Sequence, residues 1–314
     1  MESCVKIFSL DDEEQKLTTE TRRKTIQMKS KSSPRRRGDA EKNNPMEKSE
    51  RVIDRLQFQH KPGLVAYVTC GDPDIATTRE IILAACRAGA DVIELGVPFS
   101  DPVADGPVIQ RASERALKQG TSLEDVLRLA AEVRKETDAG LIVFTYLNPM
   151  LRFGMERFCA EAVKAGVDGA LITDLTVEEA DDYRRVMAAH NLATVFLAAP
   201  TSTDQRLKAI TAACQGFVYA VSRTGITGAQ KQLASDAQGL VKRIRKFTRL
   251  PIAVGFGISN PQQFAEVGQF ADAGVVGSAI VQMIEKNPGN EASAVEGFVR
   301  SLKAGASSVG ASQS

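Results

Sequence analysis

Glu94 is the residue of this chain whose type and setting point most directly to chemistry. It stands inside the apolar run Val92-Ile93-Glu94-Leu95-Gly96, which has the character of a buried strand. A carboxylate removed from water is costly unless it is paired or takes up a proton. A glutamate held partly protonated near neutral pH is what general acid–base catalysis uses. Asp105 follows eleven residues later, in a loop stiffened by Pro98, Pro102 and Pro107. A structural glutamate bonded to loop backbone, and a capping or solvated aspartate, are the plainer readings of the same residues. Asp101 has more of that plainer character.

Two glycine clusters add a ligand signal. Gly255-Phe256-Gly257-Ile258-Ser259 follows one strand-like run, and Gly277-Ser278-Ala279-Ile280 follows the next and opens a helical pattern. Glycines let backbone N–H groups approach an anion, and a helix N-terminus carries partial positive charge, so a phosphate group is the expected ligand. Between Ser222 and Lys231, Gly225 and Gly228 lie among small polar residues, a composition suited to a lid. Absences narrow the reaction further. The two histidines, His60 and His190, each sit just ahead of an apolar run, and the five cysteines show no CxxC spacing. A histidine-based triad, a multi-histidine metal centre and a zinc or disulfide framework are therefore disfavoured. No lysine lies on a candidate strand, so an imine-forming aldolase would lack its nucleophile. What remains is a phosphate-bearing substrate worked by two carboxylates, as in carbon–carbon cleavage of a substrate activated by protonation.

The elements that must position these groups alternate regularly. Eight strand candidates occur at Leu64–Thr69, Val92–Gly96, Leu141–Tyr146, Ala170–Thr173, Thr194–Ala198, Phe217–Ser222, Ile252–Gly255 and Val275–Gly277. Several are apolar on both faces, as parallel strands covered by helices are. Helix-entry signals follow at Asp72-Pro73-Asp74, Thr121-Ser122-Leu123-Glu124, Ser202-Thr203-Asp204 and Asn260-Pro261. A weak repeat, Ala88-Gly89-Ala90-Asp91, Ala165-Gly166-Val167-Asp168 and Asp272-Ala273-Gly274-Val275, is read as closing a helix and opening a strand, with the glycine in the left-handed helix-ending conformation. The expected fold is α/β, a (β/α)8 barrel with an extra helix in the long interval after strand two; a doubly wound open sheet is the competing architecture. In such a barrel the strand C-termini carry the active site, and the loops after strands seven and eight carry phosphate.

The first fifty of the 314 residues stand apart. They hold 12 basic and 10 acidic residues, and Arg22–Arg37 alone carries eight basic residues and no acid. So little apolar surface cannot offset ordering entropy, so residues 1–50 are expected to form a disordered charged extension, with Met46 a candidate true start. The barrel is expected over 51–305 and a flexible tail over 306–314. From Arg51 onward 28 basic residues face 29 acidic ones, which argues against a nucleic-acid binder. No apolar run reaches the ~18 residues of a membrane span and no secretory signal opens the chain, so a cytoplasmic location is expected.

The stretch Glu94-Leu95-Gly96-Val97-Pro98-Phe99-Ser100-Asp101-Pro102 through Ala104-Asp105-Gly106-Pro107 resembles the signature of the tryptophan synthase α-subunit family. The resemblance runs over about Arg51–Asn290 and includes Tyr67–Pro73, Tyr146-Leu147-Asn148-Pro149, Ser222–Gly228, Gly255–Ser259 and Gly277–Val281. It implies retro-aldol cleavage of indole-3-glycerol phosphate to indole and glyceraldehyde 3-phosphate. Glu94 would be the general acid/base and Asp105 the partner of the indole N–H. Tyr67, Phe144 and Leu171 match positions that wall the indole, while Tyr219, Thr227 and Gly228 match substrate or lid positions. Phe256, Gly257, Gly277 and Ser278 match the phosphate cradle.

The resemblance also implies no cofactor or metal in this chain and a β-subunit partner, in an α2β2 assembly, that carries pyridoxal phosphate and receives the indole. The loop Pro98–Pro107, including Asp101, would face that partner. A stand-alone lyase, a non-catalytic activator of the β subunit and another phosphate-binding barrel are the alternatives. Two departures stand out: Thr176 lies where the family usually has proline, and residues 1–50 have no family counterpart.

Overall fold

The computed structural model describes residues 54–221, 230–255 and 257–310. Residues 1–50, expected as a charged extension, lie outside them. The described strands are β1 (Gly63–Thr69), β2 (Val92–Gly96), β3 (Gly140–Thr145), β4 (Gly169–Ile172), β5 (Ala193–Val195), β6 (Leu197–Ala198), β7 (Val218–Val221), β8 (Ile252–Gly255) and β9 (Ala273–Val276). All pairings are parallel, in the order β5-β4-β3-β2-β1-β9-β8-β7-β6. β5 and β6 are two halves of one run broken at Phe196. The first half pairs with β4 and the second with β7, so this run brings the two ends of the sheet round to each other. That is the expected barrel; the open-sheet alternative does not hold.

Helices cover the outside. They are α1 (Ile75–Arg87), α2 (Pro107–Lys118), α3 (Leu123–Arg134), α4 (Leu147–Phe153), α5 (Met155–Lys164), α6 (Asp181–Ala189), α7 (Asp204–Ala213), α8 (Gln230–Ile244), α9 (Pro261–Gly268), α10 (Ser278–Lys286) and α11 (Glu291–Gly310). Helix α2 is the extra one after β2. The entry signals act as side-chain caps: Asp74, Thr203 and Asn260 accept from the backbone N–H three residues on, and Ser122 forms a reciprocal capping box with Asp125. Helix α11 continues to Gly310, into the segment expected as a tail, because Val299, Leu302 and Ala306 extend its apolar face onto the outer core.

Two apolar layers follow from the alternation of side chains along each strand. Ile93, Leu95, Leu141 and Val143 point outward to the helices, while Val65, Val92, Ile142, Leu171, Val195 and Val275 fill the barrel. Leu56 and Phe58 pack onto the inner cluster beside Phe217, whose ring centroid lies 5.8 Å from that of Phe58.

The weak sequence repeat closes a helix with a left-handed glycine at two of its three sites, after α1 and after α5, and departs from that reading at the third. Gly89 and Gly166 are left-handed, with φ of +102° and +73°, but Gly274 lies inside β9, where a Cβ would meet Ile258 and Phe264 at 2.9 Å. The aspartates are the shared feature. Asp91, Asp168 and Asp272 accept from the N–H of Leu64, Leu141 and Ile252 at 2.7, 2.8 and 2.8 Å. Each also donates its own N–H to the carbonyl of the same residue. These double bonds lock strand starts at the barrel's N-terminal end, leaving the C-terminal end to carry chemistry.

Candidate active site

Glu94 alternates with Val92 and Gly96 on the inner face of β2, and the backbones of Tyr67 on β1 and Ile142 on β3 flank it in register. It is 1% exposed, and neither Oε1 nor Oε2 has a hydrogen-bond partner among the described residues. Burial alone pushes its carboxyl up to about 8. A buried acid with no structural bond of its own is the opposite of a structural glutamate, and such a group is available to a ligand.

Asp105 sits at the end of the loop between β2 and α2, half-buried. Its Oδ2 accepts from the Tyr146 phenol at 3.0 Å, and its backbone carbonyl accepts from Gln110 Nε2 at 2.9 Å. Burial raises its carboxyl pKa, and the Tyr146 bond opposes that rise. The side chains expected to wall the indole lie on neighbouring strands. Tyr67 and Phe144 meet edge-to-face with centroids 5.1 Å apart, and the backbones of Phe144 and Leu171 pair across β3 and β4. The phenols of Tyr67 and Tyr219 are both pushed up, first by burial and then by the negative charges of Asp105 and Glu94, so both rings sense both carboxylates.

Each tyrosine also leans over a glycine of the next strand. A Cβ on Gly96 would lie 2.4 Å from the Tyr67 oxygen, and one on Gly255 would lie 3.0 Å from the Tyr219 oxygen. Among the residues expected to cradle phosphate, Gly257 has φ of +85°, a conformation that favours glycine. Gly277 caps α10 without a side-chain bond, and Ser278 begins that helix in the open. A helix N-terminus at the end of the last strand is thus in place. Thr227, Gly228 and Phe256 lie outside the described residues. His60 and His190 take no part, and among the described residues no cluster of three His, Cys, Asp or Glu side chains could hold a metal.

A family model described as tryptophan synthase alpha chain matches residues 53–307. The chain belongs to the tryptophan synthase alpha chain family. It is 51% identical over 257 residues to the tryptophan synthase alpha chain of Solibacter usitatus, covering 81% of this chain and 96% of that one. Identity to the Geotalea uraniireducens alpha chain is 47% over 256 residues, with 81% and 96% coverage. Among solved structures, tryptophan synthase subunit alpha from Legionella pneumophila is similar at a TM-score of 0.75 and 34% identity, with 83% of this chain and 98% of that chain covered. A chain of the tryptophan synthase complex from Pyrococcus furiosus aligns at a TM-score of 0.72 and 37% identity, covering 78% and 98%. The expected family, barrel fold, lyase class and place in tryptophan biosynthesis follow from these matches. The family name implies a β-chain partner, and among the described residues no helix is long and apolar enough to cross a membrane.

Two connections in this chain go beyond what the sequence indicates. Tyr146, just past β3, reaches Asp105 across 41 positions of chain. Its sequence signals are a tyrosine at a strand C-terminus and its place in the Tyr146-Leu147-Asn148-Pro149 stretch of the resemblance, neither of which names Asp105 as its partner. The second is an ion-pair chain beside the site. Buried Asp72, which follows β1, takes both Arg115 nitrogens Nε and Nη2 at 2.7 and 2.8 Å; Arg115 then reaches Glu285 at 2.9 Å, which also holds Arg111. These ion pairs tie α2, the helix leaving the Asp105 loop, to α10, the helix that opens after β9. Thr176 proves a mild departure. Its φ of −78° is one that proline adopts, so the backbone keeps the course a proline would impose.

Proposed function

We propose that this chain cleaves indole-3-glycerol phosphate by a retro-aldol reaction, releasing indole and glyceraldehyde 3-phosphate. The buried, unpartnered Glu94 carries the reading, because its raised pKa keeps a proton on the carboxyl at neutral pH. Protonated Glu94 delivers that proton to the indole ring carbon bearing the glycerol chain. Positive charge then develops at the ring nitrogen, where Asp105 accepts the N–H and stabilises it. The glycerol hydroxyl next to the ring gives up its proton, its oxygen becomes the aldehyde carbonyl, and the carbon–carbon bond breaks with its electrons returning to the ring. Glu94 takes up the hydroxyl proton and is restored.

In this reading Tyr67, Phe144 and Leu171 wall the indole, and Tyr219 lies against the substrate with Thr227 and Gly228 of the lid. Phe256, Gly257, Gly277 and Ser278 cradle the phosphate, the α10 N-terminus supplying its N–H groups and dipole. The product indole passes to a β subunit in an α2β2 assembly. Pyridoxal phosphate belongs to that partner, and no step above passes through it. Val103, 80% exposed in the loop after β2, supports a partner-facing role for that loop, since a large apolar side chain held in water is suited to being covered.

The test is steady-state indole release from indole-3-glycerol phosphate, with and without a tryptophan synthase β subunit. Release that the β subunit strongly stimulates is the expected result. Equal release in both conditions would identify a stand-alone lyase. No release from folded protein in either condition would reject the reaction and leave the activator reading.

A further inference from the structure

The phenol of Tyr146 is bonded on both sides. Its oxygen accepts from the Ala104 N–H at 3.0 Å and donates to Asp105 Oδ2 at 3.0 Å. With its lone pair engaged by a backbone donor, the phenol directs its one proton at the carboxylate, and accepting the N–H strengthens that donation. The ring is 2% exposed and lies against Phe99, centroids 5.2 Å apart, so the oxygen has little freedom to move. One side chain just past β3 therefore seats both the backbone and the carboxylate of the loop after β2. No hydrogen bond reaches Asp105 Oδ1 among the described residues.

We propose that Tyr146 is a positioning residue that commits Asp105 Oδ2, presents Oδ1 to the substrate, and thereby sets the site's selectivity for a ring that carries an N–H donor. The proposal rests on the reading of Asp105 as the indole N–H acceptor. A carboxylate free to rotate would offer an N–H either oxygen in many orientations; one locked by a charge-assisted bond offers a single acceptor direction. An aromatic ligand lacking the donor would leave Oδ1 desolvated and unpaired, which is how a buried polar group rejects an analogue.

The test compares binding of a 3-indolylalkyl phosphate and its N-methyl derivative to the full chain and to Tyr146→Phe, which keeps the ring against Phe99 and removes only the hydroxyl. Wild-type protein is expected to prefer the N–H ligand by about tenfold or more. In Tyr146→Phe that preference should shrink to about twofold, through loss of affinity for the N–H ligand alone. Affinity for glycerol 3-phosphate, which reports the phosphate cradle and the integrity of the barrel, should stay the same. Equal weakening of both ring ligands would mean a merely structural role and overturn the proposal. A wild-type preference fully retained in Tyr146→Phe would overturn it too. Wild-type protein with no preference would reject the assignment of Asp105 itself, and the proposal with it.

Discussion

Glu94 and Tyr67 are register partners on neighbouring parallel strands, and the Tyr67 phenol crosses above the next inward position of β2, which is Gly96. The pairing repeats on the other side of the barrel, where Tyr219 on β7 leans over Gly255 on β8. In both cases the glycine is the register partner of the residue two beyond the tyrosine. The two rings can therefore turn toward the carboxylates, because the neighbouring strand offers no side chain where they cross it.

Gly96→Ala tests how tightly this is built. The new Cβ would fall 2.4 Å from the Tyr67 oxygen, and the ring's retreat is limited by Phe144 on its edge. On the proposed reading Tyr67 lines the indole, and displacing such a ring by about 1 Å can cost up to 100-fold in rate, so a tenfold or greater fall in kcat/KM for indole release is expected. Gly255→Ala meets Tyr219 at the milder 3.0 Å and should lose less. Full activity in Gly96→Ala would show that the Tyr67 position is not critical.

Replacing Glu94 should trade activity for stability. Glu94→Gln removes the proton donor and is expected to lower kcat by about 100- to 10,000-fold. The native carboxyl titrates at about 8 against 4.5 for an ordinary glutamate. Between those values the native state holds a proton that the unfolded chain has released, so this group's contribution to stability falls as pH rises through the window. Glutamine has no such dependence. Urea unfolding at pH 4.5 and pH 8 should find the variant similar to the parent at the lower pH and more stable by about 4 kcal/mol at the higher one. A variant destabilised at pH 8 would contradict the burial argument.

At the opposite end of the barrel, Asp168 is 1% exposed, accepts from the Leu141 N–H, and pairs with Arg134 at 2.7 Å and Arg55 at 3.3 Å. Asp168→Ala strands the largely buried Arg134 charge and the Leu141 N–H together, for an expected loss of about 3–5 kcal/mol. Asp168→Asn keeps an acceptor and should lose less. Because the residue lies far from the strand C-termini, kcat of the folded variants should stay within about twofold of the parent. Denaturant melts paired with the indole assay separate the two effects; a selective fall in kcat would show coupling between the barrel ends.

Much of this protein could be read along the chain, because the signals concerned are local. Strand and helix alternation, the caps at Asp74, Ser122, Thr203 and Asn260, and the acid inside an apolar strand each depend on residues a few positions apart. Glu94 was legible because a charge at an inward strand position conflicts with its neighbours whatever the rest of the fold does. The glycine-rich ends of the last two strands were legible for a similar reason, since close backbone approach and a helix start are both short-range features.

Tertiary structure decided how residues distant in sequence meet. The repeat ending in Asp91, Asp168 and Asp272 is a helix ending at its first two sites, but what all three share is a bond to the start of the preceding strand, set by register. The requirement for glycine beneath Tyr67 exists only once β1 and β2 are paired with Thr69 opposite Gly96. The reach of Tyr146 to Asp105 and of Arg115 to both Asp72 and Glu285 depends on barrel closure in the same way. Periodicity and composition specify which face a side chain takes, but a hydrogen bond specifies a partner to within a few tenths of an ångström. That precision comes from the packing of the whole barrel, which no local stretch encodes.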